Sequence, residues 1–65
     1  MQIKINGELR EIEATTLGFL VSIFKLDPDA VVIELNGHVA PKHSWETTPI
    51  NAGDQIEIVA FVGGG

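Results

Sequence analysis

The residues with the most chemical promise are the last three, Gly63-Gly64-Gly65, which follow directly on the strand-like run Gln55-Ile56-Glu57-Ile58-Val59-Ala60-Phe61. They place the α-carboxylate of Gly65 at the tip of an arm without side chains. Glycine lacks a Cβ and visits both signs of φ, so three in a row can thread a channel too narrow for any other residue. The chemistry this suggests is chemistry on the chain's own end. Gly65 would be the reacting residue, and 63–65 a flexible glycine tail on a folded domain of residues 1–62. Idle terminal residues are also often small and poorly ordered, so the rest of the chain must decide between the two.

Other candidates are weaker. His38 and His43 are the chain's two histidines, a residue type suited to proton transfer and metal ligation. They are five apart in a segment containing Pro41, which does not suit helical i, i+4 ligation, and no cysteine is present to complete a site. The expectation is no metal and two exposed loop histidines. Ser22 and Ser44 lack a nucleophile-elbow context, so a triad is not supported. The terminal glycines have no helix behind them to present an N-terminus to phosphate. No cofactor-binding residue is assigned. A domain whose apolar residues are nearly all committed to its core is not expected to form a sizeable substrate pocket.

The elements that would position the arm are legible from periodicity. Met1, Ile3 and Ile5 alternate with Gln2 and Lys4 as a strand with one buried face, and Asn6-Gly7 signals a hairpin. Glu8 to Glu13 should return antiparallel as an edge strand carrying Arg10, Glu11 and Glu13 outward. Thr15 or Thr16 caps a helix expected over 17–26 and stopped by Asp27-Pro28. Leu17, Leu20, Val21 and Phe24 form its apolar stripe, widened by Phe19, Ile23 and Leu26. Such a broad stripe suggests a helix cradled by a curved sheet. Gly18 costs helix propensity of about 1 kcal/mol relative to Ala, for which close packing would be a reason.

Val31, Ile33 and Leu35 make a third strand, closed by Asn36-Gly37. Val39 is expected inward on a short fourth segment ended by Pro41. Residues 42–50 read as a loop with a helical turn, Trp45 plugging the core. The last strand, 55–61, should turn Ile56, Ile58 and Ala60 inward and Val59 and Phe61 outward. The order β, β, α, β, β, β describes an α+β domain with a mixed sheet of four to five strands and one main helix. The first and last strands should pair in parallel at its centre, because the helix is the crossover that a parallel pairing needs.

The outward Val59 and Phe61 are the second functional signal. An aromatic and a β-branched residue on a water-facing strand beside the terminal arm suggest a docking patch, although single exposed apolar residues are common. Val62, Gly63 and Gly64 would continue that contact into a partner.

Composition limits the alternatives. Sixty-five residues make one small domain, and 45% hydrophobic content makes an apolar core feasible without disulfides. Four Lys or Arg against nine Asp or Glu give a formal charge of −5, which repels phosphate backbones and favours a positively charged protein partner over nucleic acid. No stretch approaches the roughly 18 apolar residues of a membrane span. The absence of cysteine and of a basic, apolar leader points to the cytoplasm.

Across the whole chain the pattern resembles the ThiS-type sulfur carriers of thiamine biosynthesis, a branch of the ubiquitin-like β-grasp family. The residues carrying the resemblance are Met1-Gln2-Ile3 with Asn6-Gly7, Val32 to Gly37 and Val39-Ala40-Pro41-Lys42-His43-Ser44-Trp45. Gly53-Asp54 before Ile56 and Ile58 and the ending Phe61-Val62-Gly63-Gly64-Gly65 complete it. The resemblance implies a β-grasp fold and a monomeric protein co-substrate rather than an enzyme, with no cofactor bound. A ThiF-like adenylating enzyme would use ATP to convert the Gly65 carboxylate to an acyl-adenylate. Sulfur from a cysteine-desulfurase route would give the thiocarboxylate, and a thiazole synthase would consume it. A carrier for molybdopterin or cysteine synthesis, or a ubiquitin-like modifier joined to lysines, would use the same activated glycine.

Overall fold

The turns set the architecture. In this computed structural model, which describes residues 1–61, both Asn-Gly pairs adopt positive φ, Asn6 at 51° and Gly7 at 83°, Asn36 at 51° and Gly37 at 88°. Two successive positive φ values are the signature of the hairpin turn whose twist matches that of its strands. The first pair joins β1 (Gln2–Ile5) to β2 (Glu8–Glu11), and the second joins β3 (Val31–Leu35) to β4 (His38–Val39). Between the hairpins lies α1 (Leu17–Ile23). A 3₁₀ helix (Lys42–Thr47) leads to β5 (Gln55–Ala60).

The five strands form one mixed sheet in the order β2-β1-β5-β3-β4. β1 and β5 run parallel at its centre, as expected of a strand reached through a helical crossover. β3 pairs antiparallel with β5 from Val31↔Ala60 to Leu35↔Ile56. One sheet face packs on α1 and the 3₁₀ helix. Ile3, Ile5, Ile33 and Ile56 come from the sheet, and Leu17, Leu20, Val21 and Trp45 from the helices. Trp45 closes one end, 5% exposed, its indole N–H donating to the Ala40 carbonyl at 2.8 Å.

α1 begins as expected, with the Thr16 hydroxyl accepting from the Phe19 N–H at 3.1 Å. It ends at Ile23, short of the expected 26. Lys25 adopts φ 56°, its N–H donating to the Ser22 carbonyl, while the Leu26 N–H donates to the Val21 carbonyl at 3.0 Å. That pair of bonds is a Schellman cap, which satisfies the last carbonyls before Asp27-Pro28 is reached. The stripe is also narrower than expected. Leu17, Leu20 and Val21 are buried, whereas Phe19 and Ile23 are exposed on the flank that neither the sheet nor the 3₁₀ helix covers. Gly18 has the close contact its propensity cost suggested: a Cβ there would lie 2.8 Å from Glu46 Oε1 and 3.1 Å from Glu46 Cα.

Two inward assignments are corrected. Val39 points outward and Ala40 inward, because the two-residue turn sets His38 opposite Leu35 and Val39 opposite the outward Glu34. Ala60 keeps its inward parity but is exposed. Burial falls along β5 from Ile56 through Ile58 to Ala60, so the strand outruns the core.

Candidate functional site

The main chain at the end of β5 is hydrogen-bonded from both sides. Toward β3, the Phe61 N–H donates to the Ala30 carbonyl at 2.7 Å. Toward β1, the side chain of Asn6 acts as an extra strand residue. The Ile58 N–H donates to Asn6 Oδ1 at 2.8 Å, and Asn6 Nδ2 donates to the Ile58 carbonyl at 3.3 Å. These bonds fix the main chain of residues 58–61 against both neighbours.

Val59 and Phe61 stand outward here as expected, 51% and 55% exposed. The sheet adds residues that sequence spacing did not assign to the patch. Val32 is the cross-strand partner of Val59, so their side chains share the outer face. One step along, Glu34 opposes Glu57, and Val39 opposes Glu34. Two carboxylates on adjacent strands therefore border an apolar patch of Val32, Val59 and Phe61. Neither carboxylate forms an ion pair among the described residues. The outward parity of Val32 was readable; its position beside Val59 depends on β3 and β5 being neighbours in this register.

The reacting residue expected from the sequence, Gly65, lies outside the described residues, as do Val62, Gly63 and Gly64 and with them the expected boundary of a 63–65 tail. The histidines fall apart from this end. His38 is exposed on β4 and His43 on the 3₁₀ helix, and among the described residues no group of His, Asp and Glu could hold a metal ion. Ser44 donates its hydroxyl to the Pro41 carbonyl at 2.9 Å, and Ser22 is exposed. A half-open hollow of about 470 Å³ does exist, contrary to the expectation of no sizeable pocket. It lies at the other end of β5, lined by Gln2, Lys4, Leu9, Gly53 and Gln55 among others, and Lys4 is its one ionisable residue. A single ammonium group offers no acid–base pair. No helix of the described residues is long and apolar enough to cross a membrane.

Residues 3–65 match the ThiS family. The chain belongs to that family. The fold agrees: a crystal structure of the thiamine biosynthesis protein ThiS from Geobacter metallireducens superposes with a TM-score of 0.86 at 29% identity, each chain covered completely. This ThiS-family domain is also 41% identical over 66 residues to a thiazole synthase of Paramagnetospirillum magneticum, spanning 100% of the domain and only 20% of that larger protein. It is 35% identical over 66 residues to the uncharacterized protein ycf40 of Porphyra purpurea, spanning 93% of it. The ubiquitin-like β-grasp expected for a ThiS-type chain is thus the fold observed.

Proposed function

We propose that the domain is a sulfur carrier whose Gly65 carboxylate is activated and converted to a thiocarboxylate for thiazole formation. Membership in the ThiS family over residues 3–65 and the likeness to a thiamine biosynthesis protein support the carrier role. The observation that carries the mechanism is the end of β5. Its core-directed side chains stop at Ile58, and it presents Val59 and Phe61 outward just before the glycines. On this reading Val59 and Phe61 dock the partner, and the reacting group is the Gly65 carboxylate rather than a side chain.

A carboxylate is a poor electrophile, so the reaction must begin by giving it a leaving group. A Gly65 oxygen attacks the α-phosphorus of ATP in a ThiF-like enzyme, expelling pyrophosphate and forming the acyl-adenylate. A persulfide supplied by a cysteine desulfurase route then displaces AMP to give an acyl disulfide, and a second thiol cleaves its S–S bond, leaving the thiocarboxylate on Gly65 and a disulfide as the oxidised product. The chain has no cysteine of its own to intercept the activated acyl group. Glu34 and Glu57 beside the patch, without an ion pair among the described residues, suit an enzyme surface bearing Lys or Arg around an apolar centre. The match to thiazole synthases favours thiazole formation over the molybdopterin and cysteine alternatives.

The test is intact mass after incubation with ATP, the adenylating enzyme and a sulfur donor. Replacement of one oxygen by sulfur on Gly65 is expected, whereas a lysine-linked adduct would make the protein a modifier. Deleting Gly65 shifts the terminal carboxylate by about one residue, roughly 3.3–3.6 Å. A displacement that size should cost at least ~10²-fold in rate, while His38→Ala, His43→Ala and Ser44→Ala leave it nearly unchanged. Near-normal activation of the truncated chain would place the chemistry elsewhere.

A further inference from the structure

Hydrogen-bond parity along β5 leaves one residue open. Gln55 and Phe61 direct their main-chain groups toward β3: the Asn36 N–H donates to the Gln55 carbonyl and the Phe61 N–H to the Ala30 carbonyl, each at 2.7 Å. Alternate residues of a strand share one edge, so the even-numbered residues face β1. Those positions are filled in turn. The Asp54 carbonyl accepts from the Lys4 N–H at 2.9 Å and the Ile56 carbonyl from the Asn6 N–H at 2.9 Å, and Ile58 uses both its groups on the Asn6 side chain. Ala60 comes next on that edge, and β1 has already turned away at Asn6-Gly7. Among the described residues nothing pairs with the Ala60 N–H or carbonyl on this side.

The carrier reading, on which this inference rests, gives the opening its consequence. Gly65 is four residues beyond Phe61, at most about 14 Å of extended chain. An enzyme reacting with its carboxylate therefore comes within that distance of the end of β5, and where its surface covers the Ala60 edge it excludes water there. A buried N–H or carbonyl left without a partner is costly. An extended main-chain segment supplies a carbonyl and an N–H at the matching spacing. We propose that the activating enzyme adds such a segment to β5 at Ala60, continuing the sheet across the interface beside the last described residues. The patch of Val32, Val59 and Phe61 lies on the adjoining face of the same strand end, so edge and patch form one continuous contact.

The test uses Ala60→Pro, on which thermal unfolding is read, with an ester in place of the Ala60 amide in a chemically ligated chain as a second variant; both remove the N–H left open among the described residues, and the ester also weakens the Val59 carbonyl as an acceptor toward β3. Thermal unfolding of the free domain should be nearly unchanged. ATP–pyrophosphate exchange with the adenylating enzyme should show kcat/KM lowered about tenfold, mostly through KM, the loss of one hydrogen bond. Absence of exchange with the unmodified chain would overturn the carrier reading itself. Normal exchange by the unmodified chain together with unchanged kcat/KM for the ester would overturn the strand addition alone. Hydrogen exchange gives a second readout: the Ala60 amide should be unprotected in the free protein and slowed in the complex. Protection already present in the free chain would assign the edge to the chain's own last residues. Protection that rises with concentration would assign it to a second copy, and either result overturns the proposal.

Discussion

Asn6 and Ile58, 52 residues apart in sequence, are joined by a two-bond clamp, the Ile58 N–H donating to Asn6 Oδ1 at 2.8 Å and Asn6 Nδ2 to the Ile58 carbonyl at 3.3 Å. A residue chosen by a local turn, for its tolerance of φ 51°, thereby also extends the central parallel pairing by one step.

The two roles of Asn6 separate by substitution. Asn6→Gly keeps the positive φ and loses the clamp, and should cost about 1–2 kcal/mol, the worth of two exposed hydrogen bonds. Asn6→Ala adds the left-handed penalty of roughly 1–2 kcal/mol. Urea unfolding should rank the wild type above Gly and Gly above Ala; equal stability of wild type and Gly would mean the clamp contributes nothing.

Replacing both Val59 and Phe61 by Ser should weaken binding to the activating enzyme by a few kcal/mol, because central apolar residues dominate interfaces, while stability falls little since both are half exposed. Calorimetric titration alongside thermal unfolding separates the two effects. Collapse of the fold with no separate binding loss would contradict the outward register.

Trp45→Phe keeps most of the ring volume but leaves the buried Ala40 carbonyl without its indole donor. The expected cost is about 1–3 kcal/mol, against roughly 3–5 kcal/mol for Trp45→Ala, which also opens a cavity. Chemical denaturation of the pair reads the difference as packing.

At Gly18 two effects oppose. Alanine should gain about 1 kcal/mol of helix propensity, but its Cβ must displace the Glu46 carboxylate and press on the Glu46 Cα at 3.1 Å. Gly18→Ala should therefore stabilise by less than propensity alone predicts. Gly18→Val should destabilise by about 1–3 kcal/mol through overpacking. A full propensity gain in Gly18→Ala unfolding curves would show that the 3₁₀ helix yields freely.

Much of the fold was legible because its signals are local. The Asn-Gly turns, a cap at Thr15 or Thr16, the alternation of Ile3 with Ile5 and the outward parity of Val59 and Phe61 each depend on neighbours a few residues away; all four stand in the structure, which places the cap at Thr16. Even the misassigned Val39 was within reach. A two-residue turn at Asn36-Gly37 puts position 38 opposite 35, which makes 39 outward by parity.

By itself, then, the sequence determined the order of elements, the faces of most strand residues and the ThiS-type pattern. Those follow from backbone sterics and side-chain period, which operate within a few residues. Tertiary structure alone decided that Val32 joins Val59, that Glu34 meets Glu57, that Asn6 grips Ile58 and that Phe19 stays in water while Leu20 does not. Parity says which way a side chain points; what it meets there depends on which strands lie side by side and how far the helix reaches over them.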